Sequence, residues 1–279
     1  MNLWQALILG IIQGVGELFP VSSLAQTILL PALLRWQIDQ KGSDFLAFVV
    51  ALHLATAVAL VLYFWKDWLA VCRAFVGGLR RGKPIYDADS KFAWLLIAGT
   101  VVVGGVGAAF EKRFRMFFDN PDYYWLVAAI LIVNGVFMII GDLVKRRAQQ
   151  QNRRADEMTL IEGAAVGAMQ TFALFPGISR SGVTIVGGLL AGLSYEEASR
   201  FSFMLATPVI GLAALLKVPS LLKDPRALHL AIPSAVLAGV TAYLSVAFLM
   251  RYFRHNRLSP FGYYCIVFGG IAMGVLLGR

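Results

Sequence analysis

Apolar residues in this chain fall into long unbroken runs rather than the short alternations of a soluble domain. Six runs, at about 45–65, 92–110, 123–143, 198–217, 227–250 and 260–278, are long enough as helices to cross ~30 Å of hydrocarbon at ~1.5 Å per residue. Two further apolar regions, 1–36 and 160–195, are interrupted midway. Glu17, Pro20, Ser22 and Ser23 break the first, and Pro176, Ser179, Arg180 and Ser181 break the second. Non-helical backbone at membrane depth survives only where protein buries it or it lines a wet cavity, so each region is expected to form a re-entrant pair of half-helices. The pattern predicts an all-α polytopic membrane protein with six transmembrane helices and two broken re-entrant helix pairs.

The two halves resemble each other. Phe19-Pro20-Val21-Ser22-Ser23 precedes Leu54-Ala55-Thr56, and Phe175-Pro176-Gly177-Ile178-Ser179 precedes Leu205-Ala206-Thr207. With three spans in each half, the second half enters from the opposite side. The expectation is an inverted repeat, with halves at about 1–143 and 160–279 and a cytoplasmic linker at 144–159, all within one membrane domain, 1–279. Such repeats place polar sites near the midplane, where broken helices meet.

Composition agrees: 58% of residues are apolar, 15% are charged, and the mean hydropathy is +0.70, values that describe an integral membrane protein better than a soluble domain. The N-terminus lacks a basic leader and carries Glu17 soon after its first apolar run, so no cleaved signal peptide is expected. Cys72 and Cys265 have no spacing that suggests a disulfide or zinc site. The net charge of +9 is not a nucleic-acid signal, because the basic residues sit in short loops between apolar runs. Loop 66–91 holds Lys66, Arg73, Arg80, Arg81, Lys83 and Lys91; loop 144–159 holds Lys145, Arg146, Arg147, Arg153 and Arg154; loop 251–259 holds Arg251, Arg254 and Arg257. The opposite loops hold fewer: Lys41; Lys112, Arg113 and Arg115; Lys217, Lys223 and Arg226. The richer set is expected in the cytoplasm and against anionic lipid. Ser194-Tyr195-Glu196-Glu197 has capping-box spacing and should open the helix carrying Phe201 to Leu216.

Chemistry concentrates at the two breaks. An arginine at the centre of a membrane helix costs ~2.5–3.5 kcal/mol on insertion scales, so Arg180 needs a partner or a function. Each break puts hydroxyls just after a proline, where a second half-helix should begin, and helix N-termini bind phosphate. With the planar fork of Arg180 added, they would cradle a diphosphate. Glu17 could hold a divalent cation or accept a proton. Simpler readings stand beside this one. The prolines could be kinks, the serines could satisfy freed backbone, Glu17 and Arg180 could form a buried structural ion pair, and His53 could be a packing residue.

Gln13-Gly14-Val15-Gly16-Glu17-Leu18-Phe19-Pro20-Val21-Ser22-Ser23 and Pro176-Gly177-Ile178-Ser179-Arg180-Ser181-Gly182 resemble the two signatures of the bacterial undecaprenyl-diphosphate phosphatase (bacitracin-resistance) family. Similarity continues through Gly187 to Ser194, Phe201-Ser202-Phe203, Val50 to Leu54 and Ser259-Pro260-Phe261. The resemblance implies an enzyme that removes the terminal phosphate of C55 isoprenyl diphosphate at the outer face of the bacterial cytoplasmic membrane. That reaction recycles the cell-wall lipid carrier and confers bacitracin resistance. It implies a divalent cation, Mg2+ or Ca2+, as cofactor. Catalytic roles would fall to Glu17, Ser23 and Arg180, with Glu17 as metal ligand or base. Ser22, Gln26, Ser179, Arg180 and Ser181 would bind the diphosphate, and Gln13 and His53 would be auxiliary. The partners implied are the isoprenyl diphosphate and anionic lipid, not nucleic acid, and a homodimer is left open. The chain departs from the family pattern at Gln26, where a histidine usually stands, at Gly16 in place of threonine, and at Cys265 in place of arginine. Glutamine cannot shuttle a proton as histidine does. The rival reading is therefore a weakened paralogue that acts as a polyprenyl-phosphate transporter or flippase.

Overall fold

The structure is a computed structural model, and it describes residues 1–38, 43–118, 121–148, 152–221 and 225–278. Lys41 and Lys223 of the expected outer loops lie outside these residues, as do positions 149–151 of the expected linker. Among the described residues there is no strand; the one β-like feature is an isolated parallel bridge between Arg153 and Leu193.

Long helices occupy all six expected runs: α3 (Ser43–Tyr63), α5 (Ala88–Phe118), α6 (Tyr124–Arg147), α9 (Tyr195–Leu221), α10 (Pro225–Tyr252) and α11 (Ser259–Leu277). Segments of α5, α6, α10 and α11 are long and apolar enough to cross a membrane by themselves, and α3 adds a fifth when taken with the helix that follows it. The sixth expected span, α9, has a different character. It opens with Glu196, Glu197 and Arg200 and buries Ser199, Ser202 and Thr207 beside Phe201, Phe203, Met204 and Leu205. A helix enclosed by protein can carry such polar groups.

The two interrupted regions are the expected broken pairs. α1 (Leu3–Gly16) is followed by α2 (Ser23–Leu33), and α7 (Leu160–Gln170) by α8 (Arg180–Leu190). Each has 11 to 14 residues, too few for the ~20 that a span needs.

Sequence 66–91 is not simply a loop. α4 (Trp65–Arg80) turns away from α3 by 79°. Val71, Ala74 and Gly78 are buried at helical spacing, while Lys66, Arg73 and Arg80 are exposed. The charges that read as a loop are the wet face of an amphipathic helix. Asp87 then caps α5 by accepting the Ser90 N–H at 2.7 Å, which holds its carboxyl below the usual carboxylate range. At the start of α9, Ser194 Oγ accepts the Glu197 N–H at 3.1 Å, but Glu197 turns to the Ala155 N–H at 2.9 Å. The predicted capping box is therefore half formed.

Packing is reciprocal between the halves. α3 lies along α9 and α6 along α11, while α1 packs on α10 and α7 on α5. The α6–α11 seam is drawn tight by small residues. A Cβ on Gly135 would meet the Gly262 carbonyl oxygen at 2.5 Å, and one on Gly262 would meet the Gly135 oxygen at 2.7 Å. Close backbone approach of this kind is how helices associate where lipid supplies no hydrophobic drive.

Candidate functional site

At the first break, α1 ends at Gly16 and α2 restarts from Ser22, whose backbone is left-handed at φ 62° and ψ 89°. That region is uncommon for a non-glycine residue and marks a position held by its surroundings. Ser22 Oγ accepts the Ala25 N–H at 3.4 Å, so the strained residue caps the helix it opens. At the second break, Gly177 takes φ 110°, and Ser179 caps α8 by accepting the Gly182 N–H at 3.2 Å. The residues that open both half-helices, Ser22 and Ser23 of one and Ser179 and Arg180 of the other, line one cavity of about 300 Å³.

That cavity is lined by Glu17, Ser22, Ser23, His53, Ser179 and Arg180, with apolar walls from α3 and α9. Glu17 is the hub. Its Oε1 accepts from Arg180 Nη2 at 2.6 Å, and its Oε2 accepts from Ser23 Oγ at 2.7 Å and Gln13 Nε2 at 2.9 Å. His53 Nε2 stands 3.5 Å from the same Oε2. The anticipated ion pair therefore exists, but it does not exhaust the arginine: Arg180 Nη1 is buried and has no partner. A buried donor without a partner costs ~1–3 kcal/mol, so Arg180 calls for an acceptor at Nη1 beyond Glu17. Its position in the first turn of α8, where a helix disfavours cations, adds to that demand.

Three expected site residues stand behind the cavity. Gln13 is spent on Glu17. Ser181 Oγ bonds Ser179 Oγ at 3.1 Å and donates to the Phe19 carbonyl at 3.4 Å, clamping one break to the other. Gln26 has both amide ends engaged: Nε2 donates to the Val21 carbonyl at 3.2 Å, and Oε1 accepts from Tyr264 Oη at 3.2 Å.

Sequence reasoning missed Asn134, Tyr264 and the role of Cys265. Asn134, wholly buried in α6, accepts the Ser179 N–H at 3.0 Å and donates to Cys265 Sγ at 3.6 Å. Cys265 in turn reaches the Pro20 carbonyl at 3.8 Å. This chain ties both breaks to the α6–α11 seam. An amide in the middle of a span was the available signal.

The donor set does not fit a resident metal. Among the described residues, no three of His, Cys, Asp and Glu come together. The one carboxylate in the cavity already accepts from a guanidinium, a hydroxyl and an amide. Divalent cations take several oxygen ligands, and Glu17, accepting three hydrogen bonds, has one acceptor position left on Oε1.

Broken helices meeting over buried Glu17, Arg180, His53 and serine hydroxyls define the class: a polytopic membrane protein with an internal polar cavity between its half-helices. The chain belongs to the bacitracin resistance protein BacA family, whose sequence profile matches residues 6–271. It is 45% identical over 276 residues to the undecaprenyl-diphosphatase of Acidiphilium cryptum (strain JF-5), covering 96% of each chain. It is 42% identical over 298 residues to that of Mycolicibacterium paratuberculosis (strain ATCC BAA-968 / K-10), covering 96% of this chain and 95% of the relative. Similarity to undecaprenyl-diphosphatase 1 of Burkholderia pseudomallei (strain K96243) is 43% over 275 residues, covering 98% and 97%.

Proposed function

We propose that this protein hydrolyses undecaprenyl diphosphate to undecaprenyl phosphate and inorganic phosphate in the bacterial cytoplasmic membrane, with its cavity open toward the outer face. The reading rests above all on Arg180, whose buried Nη1 has no partner, on the wall of a cavity that also holds serine hydroxyls and an imidazole. Arg180 and the N–H groups opening α2 and α8 would grip the diphosphate, with Ser179 holding the start of α8 in place beside it. A water, or Ser23 Oγ, attacks the terminal phosphorus. The bond from that phosphorus to the bridging oxygen breaks, and the isoprenyl monophosphate leaves with the electron pair; where Ser23 attacks first, a water then attacks the phosphoserine, releasing inorganic phosphate and restoring the hydroxyl. Glu17 keeps the guanidinium and the Ser23 hydroxyl in register.

A divalent cation, Mg2+ or Ca2+, belongs to this proposal only as a companion of the diphosphate oxygens, because the cavity has no free ligand set to hold one beforehand. The membrane-embedded site requires a lipid substrate; anionic lipid would meet the basic loops. The carrier reading drew on Gln26, which lies outside the cavity wall.

The test is phosphate release from undecaprenyl or farnesyl diphosphate by purified protein, with and without divalent cation. Wild type is expected to release phosphate and Arg180→Ala to lose at least ~10²-fold in kcat/KM, the scale of removing a donor from a charge-stabilising site. Wild type that binds the lipid yet releases no more phosphate than Arg180→Ala would overturn the hydrolase in favour of a carrier.

A further inference from the structure

His53 holds its ring between two oxygen acceptors. Nδ1 lies 2.8 Å from the Val49 carbonyl oxygen, one helical turn earlier in α3. A carbonyl can only accept, so Nδ1 carries the proton, and in the neutral ring Nε2 is a bare lone pair. Nε2 stands 3.5 Å from Glu17 Oε2, beyond the ~2.7–2.9 Å of a charge-assisted bond. The ring is thus fixed through one nitrogen and leaves the other unspent on the wall of the cavity. Glu17 is committed to three donors, and Gln26 is turned away with both amide ends bonded.

We propose that His53 Nε2 is the general base of this site, taking the proton of the attacking oxygen. The inference rests on the hydrolase reading above. As the attacking water forms its bond to the phosphorus, its proton passes to Nε2, and the P–O bond to the leaving oxygen breaks with its electron pair going to that oxygen. The imidazolium then stands beside the Glu17 carboxylate, which stabilises it, and returns the proton to water after the phosphate leaves. The charged groups facing His53 are Glu17 from the first break and Arg180 from α8; α9 presents Val209, Ile210, Ala213 and Ala214 to the cavity. α10, also packed along α3, shares with it an apolar groove in which Tyr243 is the one titratable side chain.

The experiment measures kcat and KM for wild type, His53→Gln and His53→Ala. Loss of a general base is expected to lower kcat by ~10²-fold or more with KM little changed. Added imidazole should restore part of the activity of His53→Ala. A variant with wild-type kcat would overturn the assignment, as would a loss carried equally by KM and not restored by imidazole. A second measurement does not depend on either variant folding. His229 and His255, both exposed and outside the cavity, are replaced by Gln, leaving His53 as the one histidine. Diethyl pyrocarbonate should then abolish activity, inorganic pyrophosphate should protect, and hydroxylamine should reverse the loss. Full activity after complete modification refutes the proposal. Wild type without any phosphate release defeats the hydrolase reading itself, a result distinct from all of these.

Discussion

At the scale of single residues, the contested position is Gln26. Read in sequence it is the place of a missing histidine, and a histidine restored there would be expected to raise the rate. In the structure the side chain spans from the Val21 carbonyl to Tyr264, so an imidazole at this site would replace a bridge without entering the cavity. Gln26→His is therefore expected to leave kcat and its pH profile within about threefold of wild type, far from the ~10²–10⁴-fold that acid–base help supplies. A large rise with a new near-neutral limb would show that α2 can turn this position inward. Glu17, Ser22, Ser23, Ser179 and Arg180 were legible because polar groups in an apolar run have few innocent explanations. The Val49 carbonyl and the orientation of the His53 ring were not legible, because both depend on one rotamer in an otherwise apolar helix.

At the scale of elements, the seam between α6 and α11 connects stability to the site. Asn134 and Gly135 are neighbours on α6, and Gly262 and Cys265 lie one turn apart on α11. Forcing the helices apart at the glycines would also pull Asn134 from Ser179 and Cys265 from Pro20. Gly135→Ala places a methyl 2.5 Å from a carbonyl oxygen, an overpacking that costs ~1–3 kcal/mol. It should lower the Tm in detergent and reduce activity together. Gly270→Ala, in the same α11 with nothing within 4 Å of its added Cβ, should leave Tm unchanged or raised, since alanine is favoured over glycine in a helix by ~0.5–1 kcal/mol. Equal effects of the two substitutions would mean that the seam is not a tight contact. Element existence was readable from run length and breaks. α4 was hidden, because its charges match a basic loop as well as the wet face of an interfacial helix.

At the scale of the whole molecule, the packing pairs carry information that no single contact does. Exchanging the halves maps α1 onto α7, α3 onto α9, α5 onto α10 and α6 onto α11. The contact of α1 with α10 then becomes that of α7 with α5, while α3–α9 and α6–α11 each map onto themselves. A two-fold axis in the membrane plane would generate this set, and we propose that the halves are inverted repeats on that basis. The sequence showed the repeat only as Phe-Pro and Leu-Ala-Thr, because a packing symmetry constrains residue size and face more than identity. If the basic segments lie in the cytoplasm, α3 runs inward from position 43, so the two ends of that helix must be reached from different sides. Gln37, before α3, and Lys83, after α4, are exposed. In intact cells or right-side-out vesicles lacking other reactive thiols, with Cys72 and Cys265 replaced by Ala, a membrane-impermeant maleimide should label Gln37→Cys from outside. Lys83→Cys should be labelled only after the membrane is opened. Labelling of Lys83→Cys from outside would reverse the orientation, place the positive segments against the wrong leaflet, and turn the mouth of the first broken pair toward the cytoplasm.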